Sequence, residues 1–218
     1  MTPIIVGLAA YTLGMIPSAL IVVYLFTGRD VRVGGSKNMG AMNTLRTVKK
    51  YKNISLACLA FLFVWFLDMG KAVMAVLLAQ RIMPHSSLAI TIATFFVILG
   101  HNYPLILKGK GGRGAASFMG ILLYINWRLF FVWNVGIYFF MITTELLIAL
   151  IRKEKITKNT FVHAIGEQII GRLIGEVIIL YFIYLIEPKF IFPAIVGTIL
   201  IVIRHKKRLL DQISALRK

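Results

Sequence analysis

The sequence predicts an all-α, polytopic transmembrane helix bundle of about seven spans, with the N-terminus outside and the C-terminus cytoplasmic. Three observations lead there. First, 59% of the 218 residues are hydrophobic and 15% are charged, less charge than a soluble domain carries, and the apolar residues fall in runs of about 18 or more. Second, the chain lacks the roughly ten-residue alternating segments of a membrane β-barrel. A segment in hydrocarbon that is not part of a closed barrel must satisfy its own backbone polar groups as a helix. Third, a net charge of +17 is gathered into short basic clusters between the apolar runs. That pattern points to anionic headgroups or anionic substrates and away from nucleic acid.

Taken in order, the apolar runs lie at about 3–26, 54–80, 87–107, 115–127, 129–151, 169–186 and 190–204. No basic residue precedes the first run, and it is too long for a signal-peptide core, so it reads as a retained helix. The fourth is short for a crossing, and 115–151 could instead form one long kinked segment, which would make six spans. Basic residues decide between the two. With seven spans and an outside N-terminus, the inside segments 27–53, 108–114, 152–172 and 204–218 hold 21 of the 25 Lys and Arg, as the positive-inside rule requires. Six spans would put the basic residues after 151 outside. No internal repeat interrupts the chain, and residues 1–218 read as a single integral membrane domain.

Several chemistries are disfavoured. Cys58 is the only cysteine, so no intrachain disulfide forms. The four histidines are His85, His101, His163 and His205, and the residues five positions on are Ile90, Ile106, Gln168 and Leu210. The His-x4-Asp dyad that deprotonates an acceptor hydroxyl in many acyltransferases is therefore missing. Metal-ligand spacing and a G-x-S-x-G elbow are missing too, so neither a metal nor another cofactor is expected. Asp68 and Lys71 lie three apart on one helix face, where pairing would offset part of the cost of charge in a membrane. Glu145 and Glu176 are intramembrane carboxylates with no partner legible in sequence.

Two loops carry the remaining polar chemistry. "VGGSKNMGAMNTLR", residues 33–46, contains Gly34, Gly35 and Gly40, with Ser36, Asn38 and Asn43 as neutral hydrogen-bonding groups. Its Arg46 can offer a two-pronged contact to a phosphate. In "GHNYPLILKGKGGRGAASFMG", residues 100–120, Gly109–Gly114 match G-x-G-x-x-G, but a dinucleotide fold would need a preceding strand. Glycines still let backbone N–H groups turn toward an anion. Lys108, Lys110 and Arg113 add charge, and the helix beginning at Ala115 adds its N-terminal dipole. Two such loops on one side suggest a shared site for two phosphate-bearing molecules. The competing reading is a pair of solvated basic turns.

These residues resemble the bacterial acyl-phosphate:glycerol-3-phosphate acyltransferase family. The first family motif, roughly G-S-G-N-P-G-A-T-N-x-x-R, stands here as Gly35-Ser36-Lys37-Asn38-Met39-Gly40-Ala41-Met42-Asn43, ending at Arg46. The second, roughly G-H-x-F-P-x-F-x-x-F-K-G-G-K-G, runs from Gly100 to Gly114, with His101, Pro104, Lys110, Gly111, Gly112 and Arg113 in register. The likeness covers about residues 10–125 and returns near 200–208. Lys37, Met39 and Met42 replace a motif glycine, proline and threonine, and Arg208 replaces an asparagine.

The resemblance implies acyl transfer from acyl phosphate to the 1-hydroxyl of glycerol 3-phosphate, giving lysophosphatidate for phospholipid synthesis at the cytoplasmic face of the cell (inner) membrane. It implies that Ser36, Arg46, Lys110 and His205 carry the reaction. It further implies that Gly35, Asn38, Gly40, Asn43, His101, Gly111, Gly112, Arg113 and Gly114 bind the substrates. The expected partners are acyl phosphate, glycerol 3-phosphate and membrane lipids. Two alternatives stay open: a catalytically impaired relative that binds phospholipid or acyl phosphate, and a transporter of an anionic metabolite.

Overall fold

A computed structural model describes residues 1–216. All its regular elements among the described residues are helical. The chain divides into two compact units, Met1–Tyr124 and the remainder from Ile125.

The first unit contains α1 (Thr2–Gly14), α2 (Ser18–Thr27), α3 (Ala41–Tyr51), α4 (Ile54–Ile82), α5 (Ser87–Asn102) and the short α6 (Ala115–Ile125), which ends at the boundary. α1 and α2 together make one candidate span, Thr2–Thr27, broken where Pro17 lacks an N–H and its ring obstructs the preceding turn. α1 lies directly against α5 because glycines remove the obstacle. A Cβ on Gly14 would overlap the Val97 carbonyl, and one on Gly100 would overlap the Tyr11 carbonyl. Small residues recur along the inner face of α4, where Ala57, Ala60, Val64, Ala72, Ala75, Val76 and Ala79 are buried, so that neighbouring backbones approach closely. Gly120 of α6 uses this stripe, its Cα facing the Met69 backbone. Asn53 starts α4 by accepting the Leu56 N–H at 2.9 Å.

The second unit contains α7 (Trp127–Ile151), α8 (Lys158–Glu167), α9 (Ile170–Ile186) and α10 (Ile191–Leu216). α7 packs on α9, with Gly171 against the Phe140 carbonyl and Gly175 against the Phe140 ring. The two carboxylates without a legible partner acquire one here. Glu176 accepts the Trp133 indole N–H at 3.1 Å. Glu145 meets His163 Nδ1 at 2.6 Å and accepts from Gln168 at 2.9 Å. Arg208 donates to Glu167 at 2.5 Å, tying α10 to α8.

Among the described residues, five helices or helix pairs are long and apolar enough to cross a membrane, and α8 with α9, bent by 61°, would make a sixth. The fourth run appears as α6, whose 11 residues extend only about 16 Å at 1.5 Å per residue, roughly half the thickness of a hydrocarbon core. The region 115–151 is not one kinked segment. It breaks at Asn126, whose side chain accepts the Arg128 N–H at 3.0 Å and starts a new helix. Two helices had not been anticipated. α3 occupies the second half of the first polar loop, and α8 the basic segment after α7, where Thr157 and Thr160 cap each other's backbone N–H groups.

Candidate functional site

The first loop is built outward from the end of α2. Gly28, at φ 66°, closes that helix. Asp30 then accepts the Arg32 backbone N–H at 2.8 Å and the Arg32 guanidinium at 2.6 Å, which fixes a single turn over Val31–Val33. The hydrogen bonds from Arg32 hold the Asp30 carboxyl below its ordinary value, against the opposing effect of burial. Asn43, in the first turn of α3, secures the rest. Its Oδ1 accepts the Ser36 N–H at 2.8 Å, and its Nδ2 donates to the carbonyls of Val31 at 3.0 Å and Gly34 at 3.3 Å. Gly35, at φ 53°, sits so close to Asn43 Oδ1 that a Cβ could not fit. Gly40 is extended, and no side chain caps the start of α3. The partial positive charge of that helix end is left available to an anion.

The three departures in the first motif have distinct placements. Lys37 takes a left-handed conformation, φ 55°, which is why glycine suits the position. The Met39 side chain is buried in a core with Val22, Val23, Val31, Val48 and Val64 and is directed away from the loop surface. Met42 is 43% exposed. Ser36 is exposed, Asn38 and Arg46 are half-buried, and Asn43 is fully buried.

The second loop folds back on the end of α5. Gly112 N–H donates to the His101 carbonyl at 2.9 Å. A Cβ on Gly111 would overlap that same carbonyl, and a Cβ on Gly112 would overlap the His101 ring at Nε2. Gly114, at φ 83°, turns the chain into α6, and its carbonyl accepts the Phe118 N–H at 2.8 Å. Lys108 and Lys110 are exposed and Arg113 is half-buried.

The two loops meet. Met39 of the first and Pro104, Gly111 and Gly112 of the second line one small cavity with Asp68, Lys71 and His101. Leu107 of the second loop packs on the core that holds Val31 and Met39. The Asp68–Lys71 pair expected from its spacing is present, with Lys71 Nζ at 2.8 Å from Asp68 Oδ1. Sequence gave no sign that His101 would join it, with Nδ1 2.9 Å from Lys71 Nζ. Nor was it visible that the Ile16 carbonyl, beside the break between α1 and α2, would accept from the same ammonium at 3.1 Å.

His205 belongs to the second unit. It is buried on α10, where its Nδ1 donates to the Ile201 carbonyl at 2.8 Å. Ser36, Asn38, Arg46, Lys110 and Arg113 all belong to the first unit, on or beside the two loops that meet there. This arrangement offers an anion a helix N-terminus and several cations.

A family model described as glycerol-3-phosphate acyltransferase matches residues 4–214. A glycerol-3-phosphate acyltransferase of Dinoroseobacter shibae is 42% identical over 125 residues, 57% of this chain and 57% of that protein. One from Pelagibacter ubique is 42% identical over 123 residues, 56% of this chain and 59% of the relative. One from Prochlorococcus marinus is 32% identical over 147 residues, 67% and 69% of the two chains. The chain thus spans a little over half the length of the first two relatives. Among solved structures, PlsY, an integral membrane glycerol 3-phosphate acyltransferase, matches in its glycerol 3-phosphate form with a TM-score of 0.69 and 22% identity. The match covers 99% of this chain and 94% of that one. The lysophosphatidic acid form of PlsY matches with a TM-score of 0.68 and 20% identity, over the same shares. These likenesses show a common fold.

Proposed function

The chain belongs to the glycerol-3-phosphate acyltransferase family, and from that premise we propose that it moves a fatty acyl group from acyl phosphate to the 1-hydroxyl of glycerol 3-phosphate. The observation that carries the proposal is the meeting of two glycine-rich, cationic loops over one cavity. Each of the two substrates has a phosphate, and each loop has the glycines, cations and helix N-terminus that suit one.

In this reading the hydroxyl oxygen of glycerol 3-phosphate attacks the acyl carbonyl carbon. A new ester C–O bond forms, the C–O bond to phosphate breaks, and inorganic phosphate leaves with the electron pair and takes up the hydroxyl proton. The donor is already a mixed anhydride, so no acyl-enzyme is needed, and positioning and charge neutralisation can supply most of the rate. Arg46, Lys110 and Arg113 contribute charge, Ser36, Asn38 and the backbone of Gly35, Gly40 and Gly114 contribute hydrogen bonds, and Gly111 and Gly112 let the loop lie against His101. Asn43 acts by holding Ser36 in place. Membrane lipids surround the spans, and lysophosphatidate leaves into them.

The same proposal takes residues 1–218 as one integral membrane acyltransferase domain, supported by the length of the family match. It sets the chain in the inner membrane with the site facing the cytoplasm and, if the short α6 is counted as a crossing beside the six candidate spans, seven spans with the N-terminus outside, supported by the distribution of Lys and Arg. The test is direct. Purified protein given acyl phosphate and glycerol 3-phosphate is expected to release inorganic phosphate and form lysophosphatidate in equal amounts. No product with any acyl chain length would overturn the reading.

A further inference from the structure

Asp68 and Lys71 lie on α4 and belong to neither phosphate-binding loop, yet they are among the most deeply buried charges of the first unit, 2% and 6% exposed. An ammonium has three hydrogens to donate. Lys71 Nζ has three neighbours: it donates to the Ile16 carbonyl at 3.1 Å, meets His101 Nδ1 at 2.9 Å, and pairs in charge with Asp68 Oδ1 at 2.8 Å, which itself lies 3.5 Å from His101 Nδ1. If Nδ1 accepts from Lys71, the ring proton of a neutral imidazole sits on Nε2. Nε2 is the ring atom nearest the face of Gly112.

We propose that Asp68 and Lys71 are positioning residues for the second glycine-rich loop, acting through His101. The cluster joins three separate pieces of chain: the break after α1, the middle of α4 and the last turn of α5. Its outer member, His101, shapes the loop in two ways. Its carbonyl accepts the Gly112 N–H at 2.9 Å. Its carbonyl and ring also occupy the space that side chains at 111 and 112 would need, so the loop lies flat on the histidine. Lys110 and Arg113 bracket Gly111 and Gly112 directly. The position of the imidazole therefore sets where those two cations stand. A buried ion pair is weak grounds for stability, because desolvation opposes the attraction. Holding a neighbouring group in one geometry is a use that accounts for all three of the ammonium's contacts.

The inference rests on the acyltransferase reading for its kinetic consequence but not for its structural one, and the test separates the two. The double variant D68N/K71M removes both charges together, so neither is left buried and unpaired. In bilayer-reconstituted protein it is expected to raise KM for at least one phosphate-bearing substrate tenfold or more, with kcat changed less than threefold. Amide hydrogen exchange over 109–114 is expected to accelerate at least tenfold, while exchange in the middle of α4 and α5 stays as in the parent. His101→Leu leaves the Asp68–Lys71 pair intact and is expected to give the same two results, which keeps the test available if the double variant does not fold. Unchanged exchange over 109–114 in the folded variant would overturn the inference. So would a fall in kcat alone, or loosening spread equally over α4 and α5. If the parent protein makes no lysophosphatidate, the functional reading fails, and the exchange measurement still decides this one.

Discussion

The side-chain oxygen of Asn43 accepts the main-chain N–H of Ser36 at 2.8 Å, so a residue in the first turn of α3 holds the loop that leads into it. The same amide donates to the carbonyls of Val31 and Gly34. One side chain thereby satisfies three backbone groups of a segment that has no regular structure to satisfy them. Replacing Asn43 by Leu orphans all three, at about 1–3 kcal/mol for each group that stays buried. A fall in the thermal midpoint together with a loss of acyl transfer is expected. Wild-type midpoint and rate in N43L would refute the clamp.

The departures from the family motif are predicted to differ in cost according to where they point. Met39→Ala opens a cavity in the core around Val31 and Val64 and is expected to cost about 2–5 kcal/mol. Met42→Thr, on an exposed position, is expected to stay within about 0.5 kcal/mol. Lys37→Gly relieves a left-handed side-chain-bearing residue, worth about 1–2 kcal/mol, less the extra freedom glycine gives the unfolded chain. A small gain or no change is expected. Denaturation in the same detergent ranks the three.

Charge at the loop surface is expected to matter for rate. Arg46→Ala and Lys110→Ala should each lower kcat/KM tenfold or more, since a hydrogen bond to a charged group contributes about 1.5–3 kcal/mol. Parent rates in both variants would dissolve the shared site.

A pH effect follows from Asp30. Its folded-state pKa lies below the ordinary carboxylate value because Arg32 hydrogen-bonds to it. A depressed folded pKa means the unfolded chain takes up the proton first, so the stabilisation is fully present above about pH 4 and is lost as pH falls through the folded value. The difference in unfolding midpoint between the parent and Asp30→Asn is expected to be present at pH 7 and to shrink toward pH 3. A constant difference would show that the Arg32 pair contributes nothing through titration.

Orientation can be read with single cysteines. In a background with Cys58→Ser, cysteines at 37 and 110 are both expected to react with impermeant reagents from the cytoplasmic side only. Labelling from opposite sides would break the common site.

Much of the site was legible because its signals are local. Glycine spacing, the run of cations and the i,i+3 separation of Asp68 and Lys71 can each be read within a few residues, and the ion pair stands as expected. What was not legible needed a distant partner. α3 was hidden because its buried positions, Asn43, Thr44, Thr47 and Val48, are mostly polar, so no apolar stripe announced a helix. Asn43 was read as a substrate donor, but its burial and its three backbone contacts come from a loop up to twelve residues away. His101 gave no hint of Lys71, thirty positions earlier on another helix.

By itself the sequence determined that this chain is helical and membrane-embedded, that its basic residues cluster between spans, and which loops could meet phosphate. Hydrophobicity and charge act where they stand, so composition along the chain is enough for that. Only the tertiary structure decided that the two loops share a cavity, that Met39 turns inward while Met42 turns out, and that an ion pair in one helix reaches the glycine loop through a histidine of another. Those outcomes depend on close helix approaches such as Gly14 against Val97 and Gly100 against Tyr11. Packing of that kind places side chains at distances that separation along the chain does not encode.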